Sequence, residues 1–286
     1  MYTLAQYLSM VQDTARMGAY EAALRASVRP GDVVLDLGAG PGVLSCLALE
    51  LGASRVYAVD TNPLVRVLRD LARKHDLQSK LTVLEGDATT LEPPERVDLL
   101  IADLRGKLPV LGDNLSVIAR ARDRWLAPGG RMIPVRDTLF AAPATCPPSR
   151  ALIDGWARRF GGVDFSSLGE LAASEGFSSS ITPEQLLAPG VEAGRIEYAS
   201  LRAEQPHEIR LSADCTAERD GPLDGIVVWF EATLCEGVVL RAGPGTPVRV
   251  YGQLFFPLSK PYALRAGDAL ELRLRAQPTG TEYLWF

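Results

Sequence analysis

The chain of 286 residues is 47% hydrophobic and 23% charged, with a formal charge of −5. This composition excludes a disordered chain, and the length supports a real core without disulfide or metal staples. The acidic balance argues against sequence-independent nucleic-acid binding, and no apolar run approaches the roughly 18 residues of a membrane span. In chain order, residues 32–37 form a β-prone run that ends in a glycine loop, and residues 43–51 follow with helical composition closed by Gly52. Residues 55–60 predict a second strand. Asn62 as N-cap and Pro63 as first helical residue then predict a helix reaching about His75. Residues 81–84 and 97–102 predict two more strands. A helix over 115–126, stopped by Pro128-Gly129-Gly130, leads to a strand at 131–133. Such alternation predicts a parallel sheet with covering helices.

After Pro134 the pattern changes. Residues 141–150 are rich in proline and small residues, and 161–190 in Gly, Ser and Pro. Short β-prone runs follow at 195–201, 208–211, 226–234, 248–255 and 269–274, separated by turn signals such as Asp220-Gly221-Pro222. That spacing predicts an antiparallel barrel or sandwich. The expected division is an α/β Rossmann-like unit over 1–134 and an all-β unit over 135–286. Cys46, Cys146, Cys215 and Cys235 form no CxxC pair, which fits a reducing cytoplasm. With only His75 and His207, a multi-histidine metal site and a Ser-His-Asp hydrolase are disfavoured, and no metal is expected.

The strongest local signal is Asp36-Leu37-Gly38-Ala39-Gly40-Pro41-Gly42, a DxGxGxG run between strand and helix. Glycines there allow a tight turn and close approach of a ligand to a helix N-terminus. Asp60 ends the second strand, where a carboxylate can accept both hydroxyls of a ribose. Glu85-Gly86-Asp87-Ala88 offers Asp87 or the Ala88 amide to an adenine edge. Glycine loop, diol-binding acid and adenine reader in this order fit S-adenosylmethionine (SAM) better than a nicotinamide dinucleotide, whose third glycine would stand one residue later.

MVQDTARMGAY (10–20), VLDLGAGPGVLS (34–45), VYAVD (56–60) and ARDRWLAPGGRMIP (121–134) together resemble the conserved segments of protein arginine methyltransferases. GGVDFSSL (161–168), TPEQLLA (182–188) and DGIVVWFEATL (224–234) are similar, more loosely, to that family's barrel and arm. The resemblance implies a class I methyltransferase domain, a β-barrel with a dimerisation arm near 150–190, and a head-to-tail homodimer. It further implies that Arg16 grips the cofactor's carboxylate and that Asp13, one turn earlier, faces the acceptor pocket. Asp36 and Gly38 would contact the methionine part, with Gly40 and Gly42 completing the loop. Asp60 would hold the ribose, and Asp87 and Ala88 the adenine.

The acceptor motifs depart from the family. Its loop after the fourth strand carries two glutamates nine residues apart. Here Asp103 stands first, Gly112 occupies the second position, and Asp113 is one residue late. Arg105 and Lys107 add positive charge to that loop. Arg249-Val250-Tyr251 replaces the family's Thr-His-Trp, and an Arg there suits an anion on the acceptor. Asp103, Asp113 and Asp13 are therefore the expected catalytic acids, and Arg249 and Tyr251 the expected acceptor contacts. The expected activity is methyl transfer to a nitrogen of arginine or a related guanidino or amino compound. Two rivals stand beside it: an O- or N-methyltransferase with a non-guanidino acceptor, and a silent SAM-binding dimeric scaffold.

Overall fold

Two helices, α1 (Leu4–Gln12) and α2 (Thr14–Ser27), lead into the first sheet. Thr3 and Gln6 form a reciprocal capping box on α1, and the Asp13 carboxylate caps α2 by accepting the Arg16 amide at 3.1 Å. On α2 the buried residues are Arg16, Tyr20, Ala23 and Leu24, an i, i+4, i+7, i+8 stripe that turns one face to the core. The computed structural model describes residues 2–110, 112–204, 209–279 and 282–285.

The α/β half runs β1 (Val33–Leu37), α3 (Val43–Glu50), β2 (Arg55–Asp60), α4 (Val65–Lys74), β3 (Leu81–Glu85), β4 (Val97–Ala102), α5 (Asn114–Trp125) and β5 (Leu126–Ile133). The strands pair in parallel in the order β3-β2-β1-β4-β5. The direction of winding reverses between β1 and β4, and ligands of such sheets bind outside the carboxyl ends of the strands at that point. Two boundaries differ from expectation. α4 starts at Val65 rather than Pro63, because Asn62 folds back on its own turn and accepts the Leu64 amide at 3.1 Å. β5 begins at Leu126, with no loop after α5; Gly129, at φ 77°, absorbs the irregular pairing with β4 that precedes 131–133.

The second half is β-rich: β6 (Arg136–Ala144), α6 (Pro147–Asp154), β7 (Arg159–Phe160), β8 (Val163–Asp164), α7 (Ser166–Ala172), β9 (Phe177–Ser179) and β10 (Val191–Glu197). Then come β11 (Ile209–Thr216), β12 (Gly221–Cys235), β13 (Val238–Arg241), β14 (Gln253–Leu264), β15 (Ala269–Thr279) and β16 (Glu282–Trp285). One sheet has the order β10-β6-β12-β14-β9 with β13 on β12, and a second has β11-β15-β16. Part of the proline- and alanine-rich stretch is a central strand. Ala141, Ala142 and Ala144 of β6 are fully buried against β12, and their small side chains let neighbouring layers approach. The strand expected over 248–255 begins only at Gln253. The run expected at 208–211 is the start of β11; Glu208 and His207 lie outside the described residues.

β12 buries both faces. Ile226, Val228, Phe230 and Ala232 join the core shared with the parallel sheet, while Val227 and Trp229 pack into a second cluster with Ala142 and Phe255. The near-continuous apolar run of this strand follows from that double covering. The shared core reaches Tyr20 of α2 and Tyr251 ahead of β14, so both halves wall the cavity described next.

Candidate functional site

A cavity of about 620 Å³ opens at the carboxyl ends of β1, β2 and β4, within the range of small-molecule sites. Its wall includes Arg16, Asp36, Gly38, Asp60, Asp103, Arg249 and Tyr251. Seven of the residues singled out from sequence thus meet at one place. Tyr7, Met10 and neighbours from α1 close one side.

Asp36 is 2% exposed and accepts a 2.6 Å hydrogen bond from the Ser45 hydroxyl. Burial pushes its carboxyl up to about 6 against the opposing help of Ser45, and no cation of the chain pairs with it among the described residues. Gly38 leaves the turn with its backbone on the cavity wall. Gly40 does not line the cavity: at φ 52° it lies under the Tyr7 ring, 2.5 Å from where a Cβ would stand. Gly42, at φ 82°, caps α3 against Leu68 and is likewise off the wall. These two glycines shape the turn rather than touch what it holds. Asp60 anchors the loop from the next strand, accepting the Gly40 and Asn62 amides at 2.7 Å each.

Four more of the expected site residues lie off this wall. Asp13 does not face the cavity, because one carboxylate oxygen caps α2 and the other accepts the amides of Arg249 and Val250 at 2.7 and 3.0 Å. It pins the loop before β14 to the start of α2. Asp113 is exposed at the start of α5 and off the cavity wall, so it does not join Asp103. Asp87 is also exposed and off this wall; it accepts the Thr89 amide at 2.8 Å. The Ala88 residue is buried, its carbonyl taken by Trp125 Nε1 at 2.8 Å.

Asp103 carries the densest electrostatics. Its Oδ2 accepts from Arg16 Nε at 2.8 Å and from Arg16 Nη2; its Oδ1 accepts from the Tyr251 hydroxyl at 2.7 Å and from Arg105 Nη2 at 3.0 Å. Four donors fill the roughly four acceptor positions of a carboxylate. Burial alone would raise this acid, but the charges of Arg16 and Arg105 and the Tyr251 hydroxyl outweigh it and hold the carboxyl well below the usual range.

Arg105 was legible only as extra positive charge in the loop. It is fully buried, and its guanidinium lies 5.7, 5.5 and 5.5 Å from the ring centres of Tyr20, Phe230 and Tyr251. It donates to the Tyr20 hydroxyl, to Asp103, and at 3.3 Å to Asp137. Asp137, fully buried on β6, also accepts the Tyr198 hydroxyl at 2.7 Å. Burial raises the Asp137 carboxyl, and the Arg105 charge opposes this without cancelling it. A guanidinium between paired acids and aromatic faces is thus already present, supplied by the chain itself. Besides Arg105 itself, its sequence trace is Asp137, a buried acid near the start of β6.

Two family models match the chain: "Ribosomal protein L11 methyltransferase (PrmA)" over residues 14–133 and "Arginine methyltransferase oligomerization subdomain" over 136–283. A probable histone-arginine methyltransferase CARM1 of Oryza sativa subsp. indica is 31% identical over 283 residues, covering 93% of this chain and 53% of the relative. Protein arginine N-methyltransferase 6 of Xenopus tropicalis is 30% identical over 233 residues, covering 78% of this chain and 68% of the relative. The chain therefore spans about half the length of some curated relatives it matches. Among solved structures, the Trypanosoma brucei PRMT1 enzyme-prozyme complex aligns with a TM-score of 0.86 at 22% identity, over 96% of this chain and 88% of that one. Arabidopsis thaliana protein arginine methyltransferase 10 aligns at 0.83 and 22%, over 99% and 96%.

Proposed function

The chain belongs to the protein arginine methyltransferase family, and on that premise we propose that it is a SAM-dependent methyltransferase acting on a nitrogen of arginine or of a related guanidino or amino compound. The observation that carries this reading is the meeting of Asp36, Gly38, Asp60, Asp103 and Arg16 on one cavity at the switch point of the parallel sheet. The residues fit the cofactor. Asp36 is a buried carboxylate without a cationic partner among the described residues, as the ammonium of an amino-acid moiety requires. Gly38 offers open backbone, and Asp60 stands where a ribose diol would be accepted. Arg16 stands on the same wall with its fork held by Asp103 and its Nη1 donating to the Met10 carbonyl, so a carboxylate there would meet its charge rather than a free fork.

When bound, the cofactor supplies a methyl group activated on a sulfonium. The chain's part is alignment and exclusion of water, which contribute most to an in-line displacement. Asp36 orients the amino-acid end through its charge. Asp103 holds the Arg16 fork and the Tyr251 hydroxyl in fixed positions and, with its acceptor sites filled, works as a positioning residue rather than a base. The same filling favours a second reading, an acceptor that needs no carboxylate clamp for a guanidinium.

The reading includes a division at Pro134, a cytoplasmic setting and a homodimer built on the 150–190 arm. Exposed apolar side chains on that arm support the dimer: Phe160 is 56% exposed, Val163 59% and Leu171 61%. No helix among the described residues is long and apolar enough to cross a membrane. Calorimetry with S-adenosylhomocysteine tests the core of the reading: binding is expected, with Asp60→Ala weakening it at least tenfold. Failure to bind, or an unaffected variant, overturns it. Radiolabel transfer from SAM separates an active enzyme from a silent scaffold. Sedimentation of the wild type and Leu171→Asp checks the dimer, which the variant should dissociate.

A further inference from the structure

Once Arg16 is paired with Asp103, the cavity keeps two cations without a partner among the described residues, Lys107 and Arg249. Both are exposed and both line the cavity, Lys107 from the loop after β4 and Arg249 from the segment before β14. The placement of Arg249 is fixed from below. The Asp13 carboxylate holds the amides of Arg249 and Val250, and Tyr251 is bonded to Asp103. Nearby, Arg105 fills the acid-and-aromatic box that a guanidinium from outside would need. Neither of the two acids nearest these cations pairs with them. Asp103 has four donors, and Asp13 is committed to three backbone amides.

An uncompensated pair of cations beside a saturated carboxylate recognises an anion. We propose that the methyl acceptor is a small amino or guanidino acid whose carboxylate is gripped by Arg249 and Lys107, rather than an arginine inside a basic protein segment. The inference rests on the reading of this cavity as the methyl-transfer site and names its substrate class. Recognition then comes from the anionic end of the acceptor; its nitrogen, in the neutral form, would gain the N–C bond as the methyl's bond to sulfur breaks, and the proton of the methylated nitrogen would pass to water. An arginine within a basic segment has no free carboxylate and would bring further positive charge to a mouth that already carries two cations.

The test uses the full chain and labelled SAM with two pools. One holds the free amino acids together with guanidinoacetate; the other holds the same compounds with each α-carboxyl, or the single carboxyl of guanidinoacetate, converted to its amide. Label is expected in the acid pool, with kcat/KM for the accepted member at least tenfold above that of its amide. Arg249→Ala and Lys107→Ala should each raise KM for the acid about tenfold with kcat nearly kept, and should collapse the acid-to-amide ratio. Arg249→Lys should restore part of it. S-adenosylhomocysteine affinity, read by calorimetry in the same samples, should stay within twofold. The proposal is overturned by label in neither pool, by equal use of acids and amides, by preferred labelling of an arginine-rich peptide, or by a ratio unmoved in both alanine variants. If S-adenosylhomocysteine fails to bind the wild type, the methyltransferase reading itself fails, which distinguishes the two failures.

Discussion

Replacing Arg105 with Met removes the internal guanidinium while keeping much of its apolar bulk. The side chain is wholly buried and joins Asp103, Asp137 and the Tyr20 hydroxyl. Breaking a buried charge network by removing one partner costs about 3–5 kcal/mol. At roughly 2–4 °C per kcal/mol for a chain approaching this size, melting should fall by about 10 °C. The pH dependence identifies the cause. Asp103 keeps Arg16 and Tyr251, and above about pH 5 its carboxyl is ionised in both folded and unfolded chains, so it adds no slope there. Asp137 keeps only the Tyr198 hydroxyl, so burial should lift its carboxyl further above the unfolded value. A folded acid with a raised pKa contributes stability at low pH that is lost as pH rises through the folded value. The deficit of the variant should therefore shrink between pH 7 and pH 5, measured by urea denaturation at each pH. A loss under about 1 kcal/mol at pH 7, or a deficit that is flat with pH, would refute the argument that Arg105 neutralises this cluster.

Other expectations follow from single contacts. With Asp36 titrating near 6 and only its ionised form pairing an ammonium, S-adenosylhomocysteine should bind about tenfold more weakly at pH 5 than at pH 7, and Asp36→Asn should flatten that profile. In the unliganded protein the same raised acid makes stability fall by roughly 3 kcal/mol as pH rises from about 4 past 6, visible as a slope in denaturant titrations that Asp36→Asn removes. Gly40→Ala meets both a left-handed φ of 52° and the Tyr7 ring at 2.5 Å. A loss of about 1–3 kcal/mol is expected, with Tyr7→Ala recovering the steric part alone; an unchanged melting temperature would show that the loop tolerates a Cβ. Trp125→Phe deletes the 2.8 Å hydrogen bond to the Ala88 carbonyl in a buried setting, which should cost about 1–3 kcal/mol in urea denaturation.

Local signals in the chain determined the parallel half. Strands bounded by glycine and asparagine turns, and acids at strand ends, depend on spacing between neighbours, and spacing is what a sequence records. Asp36, Gly38, Asp60 and Asp103 sit at the carboxyl ends of β1, β2 and β4 because each lies within a residue of the end of a strand whose pattern is readable. Even there the helix start after Asn62 moved, since its side chain preferred its own turn to a helix cap.

The acceptor side depended on contacts between residues far apart in the chain. Asp13 has the right spacing to Arg16 for a pocket residue, yet its carboxylate is taken by amides 236 and 237 positions away. Asp113 lies close to Asp103 in sequence, but the start of α5 carries it to the surface. Whether Arg105 pointed to solvent or inward was decided by Asp137 and Tyr198 from the second half and Tyr20 from α2, which together supply counter-charge and hydrogen bonds to its two Nη groups. The sequence alone brought forward Asp36, Gly38 and Asp60, which line the cavity. Which of the acids still had a free lone pair was a property of packing, and only the tertiary structure decided it.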